Sequence, residues 1–275
     1  VIKMDMPRIK IISMDDVDVH EHTDNARVDR LRYSIKRDAK IRNPVIVSKI
    51  ADKYMILDGA TRHGGLKKLG AKHILAQIAD YDKDDLTLDT WDHVITGIKF
   101  VDFLEKVKKI KDVTIEESFQ AMAEKSLEKK EIFGYFILKE GKTYTVKCPM
   151  DYENIVRIIC EITKIYTNEE ETVRIVHAQI DDYLRVSDNE TAIFCTPKFT
   201  KEDIKEIFNM GLKVSAGITR HLIPCRILNV NLGLNLLIND DTTESKAKYL
   251  DEFIDLRLKH GKVRYYSEPT IVFDN

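Results

Sequence analysis

The sequence predicts a mixed α/β (α+β) fold in two parts, and three observations lead there. Short β-type runs alternate with helical ones over the first ninety-odd residues, a charged helical stretch follows, and a second set of strands and helices begins near residue 131. A chain of 275 residues can build two modest domains. The boundaries expected are 1–97 for the first, 98–130 for a helical connector, and 131–275 for a second α/β domain.

The elements follow in order. "RIKIIS" alternates apolar residues and predicts a strand, and "ARVDRLRYSIKRD" puts Val28, Leu31 and Ile35 on one helical stripe among basic residues. "NPVIVSKI" and "KYMIL" predict two strands joined by the polar "ADK" turn. A helix over 60–69 stops at Gly70, where the missing Cβ suits a left-handed cap, and "KHILAQIA" is the next strand. "VDFLEKVKKIKD" and "TIEESFQAMAEKSLEKK" carry helical spacing through the connector. "EIFGYFILKEGKTYTVKC" predicts a hairpin turning at Glu140-Gly141, followed by a helix over 152–165 and the strands "TVRIV" and "TAIFCTP". A helix capped by Thr200 ends at Gly211, an apolar strand is expected in "RILNVNLGLNLLIN", and a long helix from Thr243 to His260 stops at Gly261. "KVRYYSEPTIVF" is expected to close the chain as strand.

Composition narrows the classes of function. Hydrophobic residues make up 43% and charged residues 33%, as in a soluble globular protein, and the formal charge of −2 gives no global basic field for nucleic acid or anionic membrane. Cys148, Cys160, Cys195 and Cys225 show no C-x-x-C spacing, which argues against a zinc site or a disulfide framework and fits a reducing cytoplasm. No signal-peptide pattern or bilayer-length apolar run is present, so a cytoplasmic protein without a membrane partner is expected.

Three stretches carry chemistry. In "KYMILDGATRHGGLKKLGAK" a strand passes through Asp58 and Gly59 into a helix whose first amides lack intrahelical partners. Gly59, Thr61, Arg62 and His63 then read either as an ordinary capped turn or as a phosphate seat. A carboxylate beside phosphates must hold a metal ion or handle a proton, which makes Asp58 informative. Glu21, between His20 and His22 in "DVDVHEHTDNARVDRL", reads as part of a polar loop or as a second carboxylate projecting into the cleft of Asp58. "KVSAGITRHLIPCRI" gathers Ser215, Gly217, Thr219, Arg220 and His221, which could grip a phosphate or carboxylate, or leave Arg220 paired with a surface acid. Trp91, the single tryptophan, suits a core or the wall of a small-molecule pocket.

Taken together, "LDGATRHGGLKKLGAK" with the "NPVIV" strand before it resembles the ParB/sulfiredoxin-like nucleotide-binding domain, and "VHEHTD", "DTWDH" and "AGITRHLIP" resemble the free L-serine kinases of that superfamily. The resemblance implies a ParB/sulfiredoxin-like first domain that binds ATP or ADP with Mg²⁺, and phosphoryl transfer to free L-serine giving O-phospho-L-serine. It implies Glu21 as catalytic base and Asp58 as the second catalytic carboxylate. Gly59, Thr61, Arg62 and His63 would lie on the phosphates, and Trp91, Thr219, Arg220 and His221 on the substrate, with no residue assigned as a dedicated metal ligand. The chain departs from the family where a histidine usually precedes the motif arginine, because Thr61 stands there. His63 lies about 100° further round a helix, which bears on nucleotide preference. The sulfiredoxin cysteine is absent. A ParB-like DNA-binding regulator is the alternative; "RVDRLRYSIKR" would suit DNA phosphates, but no clear helix-turn-helix follows, so DNA is not the favoured partner.

Overall fold

Apolar runs become strands largely where their patterning predicts them. The computed structural model describes residues 6–167, 173–188 and 191–266. In chain order the elements are β1 (Ile9–Ser13), β2 (Val17–Val19), α1 (Asn25–Asp38), β3 (Lys40–Ile41), β4 (Val45–Ile50), β5 (Lys53–Asp58), α2 (Ala60–Lys68), β6 (His73–Ile78), β7 (Thr87–Thr90) and β8 (Asp92–Ile95). There follow α3 (Phe100–Val107), β9 (Thr114–Ser118), α4 (Gln120–Glu128), β10 (Gly134–Leu138), β11 (Thr143–Lys147), α5 (Tyr152–Tyr166), β12 (Arg174–Ile175), α6 (Ile180–Val186), β13 (Ala192–Cys195) and α7 (Lys201–Asn209). β14 (Thr219–Leu222), β15 (Leu232–Gly233), α8 (Leu234–Ile238) and α9 (Thr243–Lys259) complete the described fold.

Two larger sheets organise it. The first has the order β1-β6-β4-β5-β2, with β4–β6 and β2–β5 parallel and the other pairs antiparallel. The second, β12-β8-β13-β10-β11-β9, is antiparallel throughout. β4 runs through the first sheet as "VIVSKI", buried except at Lys49, which is why its apolar run is nearly continuous rather than alternating. Its two faces feed different cores. Val45 and Val47 join Ile11, Ile56, Leu66 and Leu75. Ile46, with Met55 and Leu57 of β5, joins Phe103, Phe136, Ile159 and Phe194 of the second part.

That shared core draws residues from both sides of the divisions expected at 97 and 130. β8 precedes residue 97 yet lies inside the second sheet, and residues Val230, Leu232, Leu237 and Leu250 complete the core of the first. The expected connector is not wholly helical: Thr114–Ser118 is an edge strand paired with β11, its Glu116 and Glu117 exposed. "RILNVNLGLNLLIN" does not form an apolar strand. Asn229 and Asn231 adopt φ of 55° and 56°, leaving only the two-residue β15 before α8. Among the described residues of "TVRIV", Arg174–Ile175 is strand. Residues 262–266 form no strand, and the rest of "KVRYYSEPTIVF" lies outside the described residues. The hairpin at Gly141, the Thr200 cap and the stop at Gly261 stand as expected. No described helix is long and apolar enough to cross a membrane.

Candidate active site

Residues 20–22, just past β2, pair with Val214 in a short parallel bridge: Val214 N–H donates to the His20 carbonyl at 3.0 Å and His22 N–H to the Val214 carbonyl at 2.8 Å. The bridge brings Glu21 to the loop entering β14. The Glu21 carboxylate accepts from the backbone amides of Gly217 (3.0 Å) and Thr219 (2.6 Å) and from the Thr219 hydroxyl (2.5 Å). Gly217 has φ +73°, and a Cβ there would run into the Arg174 guanidinium, so only glycine serves.

Across the cavity stands the β5–α2 corner. A register shift between Ile46 and Val47 of β4 faces the end of β5, where a bulge re-aims the chain at Asp58. Gly59 caps α2 at φ 99° without a side-chain hydrogen bond, leaving the first amides of that helix unspent on a cap. Arg62 folds back beneath the turn. Its Nη1 donates to the Pro44 carbonyl at 3.0 Å and its Nη2 to Asp58 Oδ2 at 2.9 Å. Arg226 reaches the same oxygen at 3.0 Å, so Asp58, with its side chain 39% exposed, lies between two guanidiniums.

These walls enclose a cavity of about 780 Å³. Glu21, Asp58, Gly59, Thr61, Arg62, Trp91 and Thr219 line it together, although they come from stretches far apart in sequence. The Trp91 backbone is anchored at both ends: its amide N–H donates to the Ile218 carbonyl (2.9 Å), and the Thr196 hydroxyl donates to its carbonyl (2.9 Å).

Three predicted site residues do not line it. His63 is turned into the protein, and burial, with Lys67 adding to it, drops its pKa to about 4. Arg220 stacks on the Trp91 ring, 4.7 Å from its centroid, and pairs with Asp89 at 3.3 Å on the β7–β14 ribbon. His221 is buried, bonded to the Tyr81 hydroxyl at 2.8 Å and edge-on to His20, and burial holds it well below the usual histidine range. Alternate residues of a strand point to opposite sides, so β14 turns Arg220 away from Thr219. His221 shares the side of Thr219 but is spent against His20 and the Tyr81 hydroxyl.

Arg27, Arg30, Asn43 and Arg174 also line the cavity, though none is among the residues that the sequence motifs single out. Arg27 and Arg30 stand three apart on α1 and so share one face, a signal available in "ARVDR". Asn43 and Arg174 left no local signal. Elsewhere, donor atoms of Asp92, His177 and Cys195 lie within 4.8 Å of one another. Asp92 is already satisfied there by His177 (2.8 Å) and the Thr196 amide (3.1 Å), and the trio reads as a structural tie between strands.

No protein-family model matches the chain. Over 268 residues it is 24% identical to the ATP-dependent L-serine kinase SbnI of Staphylococcus aureus, covering 97% of each. The chain resembles the L-serine kinases over almost its whole length. It is 28% identical over 236 residues to the ADP-dependent L-serine kinase SerK of Thermococcus kodakarensis, covering 81% of this chain and 91% of that kinase. A free serine kinase solved in complex with AMP superposes with a TM-score of 0.71 at 23% identity, over 86% of this chain and 97% of the other. C-terminally truncated SbnI from Staphylococcus aureus gives 0.71 at 21% identity, over 91% and 97%. The mixed α/β fold is therefore shared with these kinases.

Proposed function

We propose that the chain is a free L-serine kinase, transferring the terminal phosphoryl group of ATP or ADP to the serine hydroxyl to give O-phospho-L-serine. The observation that carries this reading is the meeting of Glu21, Asp58, Gly59, Arg62, Trp91 and Thr219 around one cavity. The full-length likeness to L-serine kinases supports it.

The nucleotide phosphates sit over Gly59, against the first amides of α2 and the Arg62 guanidinium, with Thr61 as a neutral hydrogen-bond donor. Arg27 and Arg30 add positive charge on the α1 side. Serine lies between Glu21 and Trp91. As its hydroxyl oxygen attacks the terminal phosphorus, the O–H bond breaks and Glu21 takes the proton. The bond from phosphorus to the bridging oxygen then breaks, and the shortened nucleotide leaves. Asp58 holds Arg62 in place and is the second carboxylate on the wall. Magnesium takes one or two carboxylates plus phosphate oxygens. Arg62 and Arg226 occupy Asp58 Oδ2, so Oδ1 is the oxygen that would hold Mg²⁺ beside the nucleotide, where the ion would neutralise phosphate charge. Four free cysteines support a cytoplasmic setting.

The test is incubation with Mg²⁺, L-serine and either ATP or ADP, read by phosphorus NMR. O-phosphoserine should form with at least one nucleotide, and Glu21→Gln should lose nearly all of it. No product from the wild type, or most of the rate kept in Glu21→Gln, would overturn the reading.

A further inference from the structure

A catalytic base needs an unoccupied lone pair aimed at its proton, yet Glu21 is heavily engaged. Oε1 takes both the amide and the hydroxyl of Thr219, while Oε2 takes only the Gly217 amide. Each carboxylate oxygen has two acceptor positions, so the open one belongs to Oε2.

The loop that makes these bonds is itself held by two buried histidines. His93 Nε2 lies 2.8 Å from the Gly217 carbonyl and His93 Nδ1 lies 2.8 Å from the Tyr166 hydroxyl. A carbonyl can only accept, so Nε2 carries the proton and the Tyr166 hydroxyl donates to Nδ1. His20 Nε2 lies 2.8 Å from the Thr219 hydroxyl oxygen. That hydroxyl has one proton, and the carboxylate oxygen 2.5 Å away can only accept it, so His20 also donates from Nε2. Burial lowers both histidines below the usual range, His93 to about 4, which keeps the rings neutral with one donor and one acceptor nitrogen. Nδ1 of His20 has no hydrogen-bond partner among the described residues, with the Ile56 carbonyl beside the ring.

We infer that His20 and His93 are positioning residues that act through Thr219 and Gly217 to fix the Glu21 carboxylate, leaving one lone pair of Oε2 as the acceptor of the substrate hydroxyl proton. This rests on the kinase reading for its chemistry and assigns Thr219 to the base rather than to serine. When the substrate O–H bond breaks, the proton goes to Oε2, and the Thr219 hydroxyl keeps its proton toward Oε1 throughout.

The test pairs kinetics with a spectroscopic signature. Ring ¹⁵N NMR of the wild type should show His20 and His93 as Nε2–H tautomers. In Thr219→Val the His20 ring should move to the Nδ1–H form, with the Ile56 carbonyl as its acceptor. The same variant should lose roughly 100-fold in kcat, the scale of general-base catalysis, with KM for serine and nucleotide within about 2-fold, and Thr219→Ser should restore most of the rate. A wild-type His20 in the Nδ1–H form overturns the inference. So does a Thr219→Val enzyme whose KM for serine rises while kcat holds, because that marks Thr219 as a substrate ligand. If the wild type makes no O-phosphoserine, the kinase reading fails separately, and the tautomers alone decide the clamp.

Discussion

Gly59→Ala tests the phosphate corner most directly, and Gly70→Ala is its natural control. Both glycines have positive φ, 99° and 73°, where an L-residue costs about 1–2 kcal/mol. Their surroundings differ. A Cβ on Gly70 meets nothing within 4 Å, whereas on Gly59 it would sit 2.8 Å from Arg62 Nη2 and 2.9 Å from Val45 Cγ1. Arg62 must then shift, weakening its bonds to Asp58 and Pro44, and a charge-assisted hydrogen bond is worth about 1.5–3 kcal/mol. The totals are about 3 kcal/mol for Gly59→Ala and about 1 kcal/mol for Gly70→Ala. In a chain of this size those losses lower Tm by roughly 6–12 °C and 2–4 °C. Calorimetric titration with ADP should show about 10-fold weaker binding for Gly59→Ala, about 1.4 kcal/mol, and no change for Gly70→Ala. Equal Tm losses, or an unaltered ADP affinity in Gly59→Ala, would refute the role given to the turn.

Two further outcomes follow from side chains that face away from the cavity. His63 titrates near 4 when folded and near 6.5 when unfolded, so the unfolded chain takes up the proton first as pH falls. Its stability contribution is complete above pH 6.5 and is lost as pH drops toward 4, on the order of 3 kcal/mol in full. His63→Phe should therefore show a shallower decline in Tm across that window, and an identical decline would contradict it. Arg220→Ala removes a cation–π contact of about 0.5–1 kcal/mol with Trp91, so it should cost a few degrees of Tm while KM for serine moves less than about 3-fold; a larger rise in KM would put Arg220 back in the substrate site.

What the sequence made legible was local. The Gly59 turn, the Thr200 cap, the hairpin at Gly141 and the Gly261 stop depend on a few neighbouring residues, and each appears in the structure. The cavity was legible only in part. Asp58 and Arg62 are four apart on one turn, and their pairing follows from that spacing. The approach of Glu21 to Thr219 depends on a bridge spanning 193 residues between Glu21 and Val214, which no local pattern encodes. The "TRH" run misled because its three residues are contiguous. On β14, contiguity turns Arg220 to the side opposite Thr219 and His221.

The last described helix has a consequence for how the molecule is made. α9 packs on β1, and Leu250, with Val230, Leu232 and Leu237, seals the same core as Ile11 and Leu75. The last strand of the first sheet ends at Ile78, so the sheet lacks its cover until the chain has been made through Leu250. During that interval its apolar face is exposed to solvent and to chaperones, and contacts between distant parts of a chain form slowly. The sheet that carries the Gly59 corner is synthesised ahead of the second sheet but is among the last parts of the described fold to be completed.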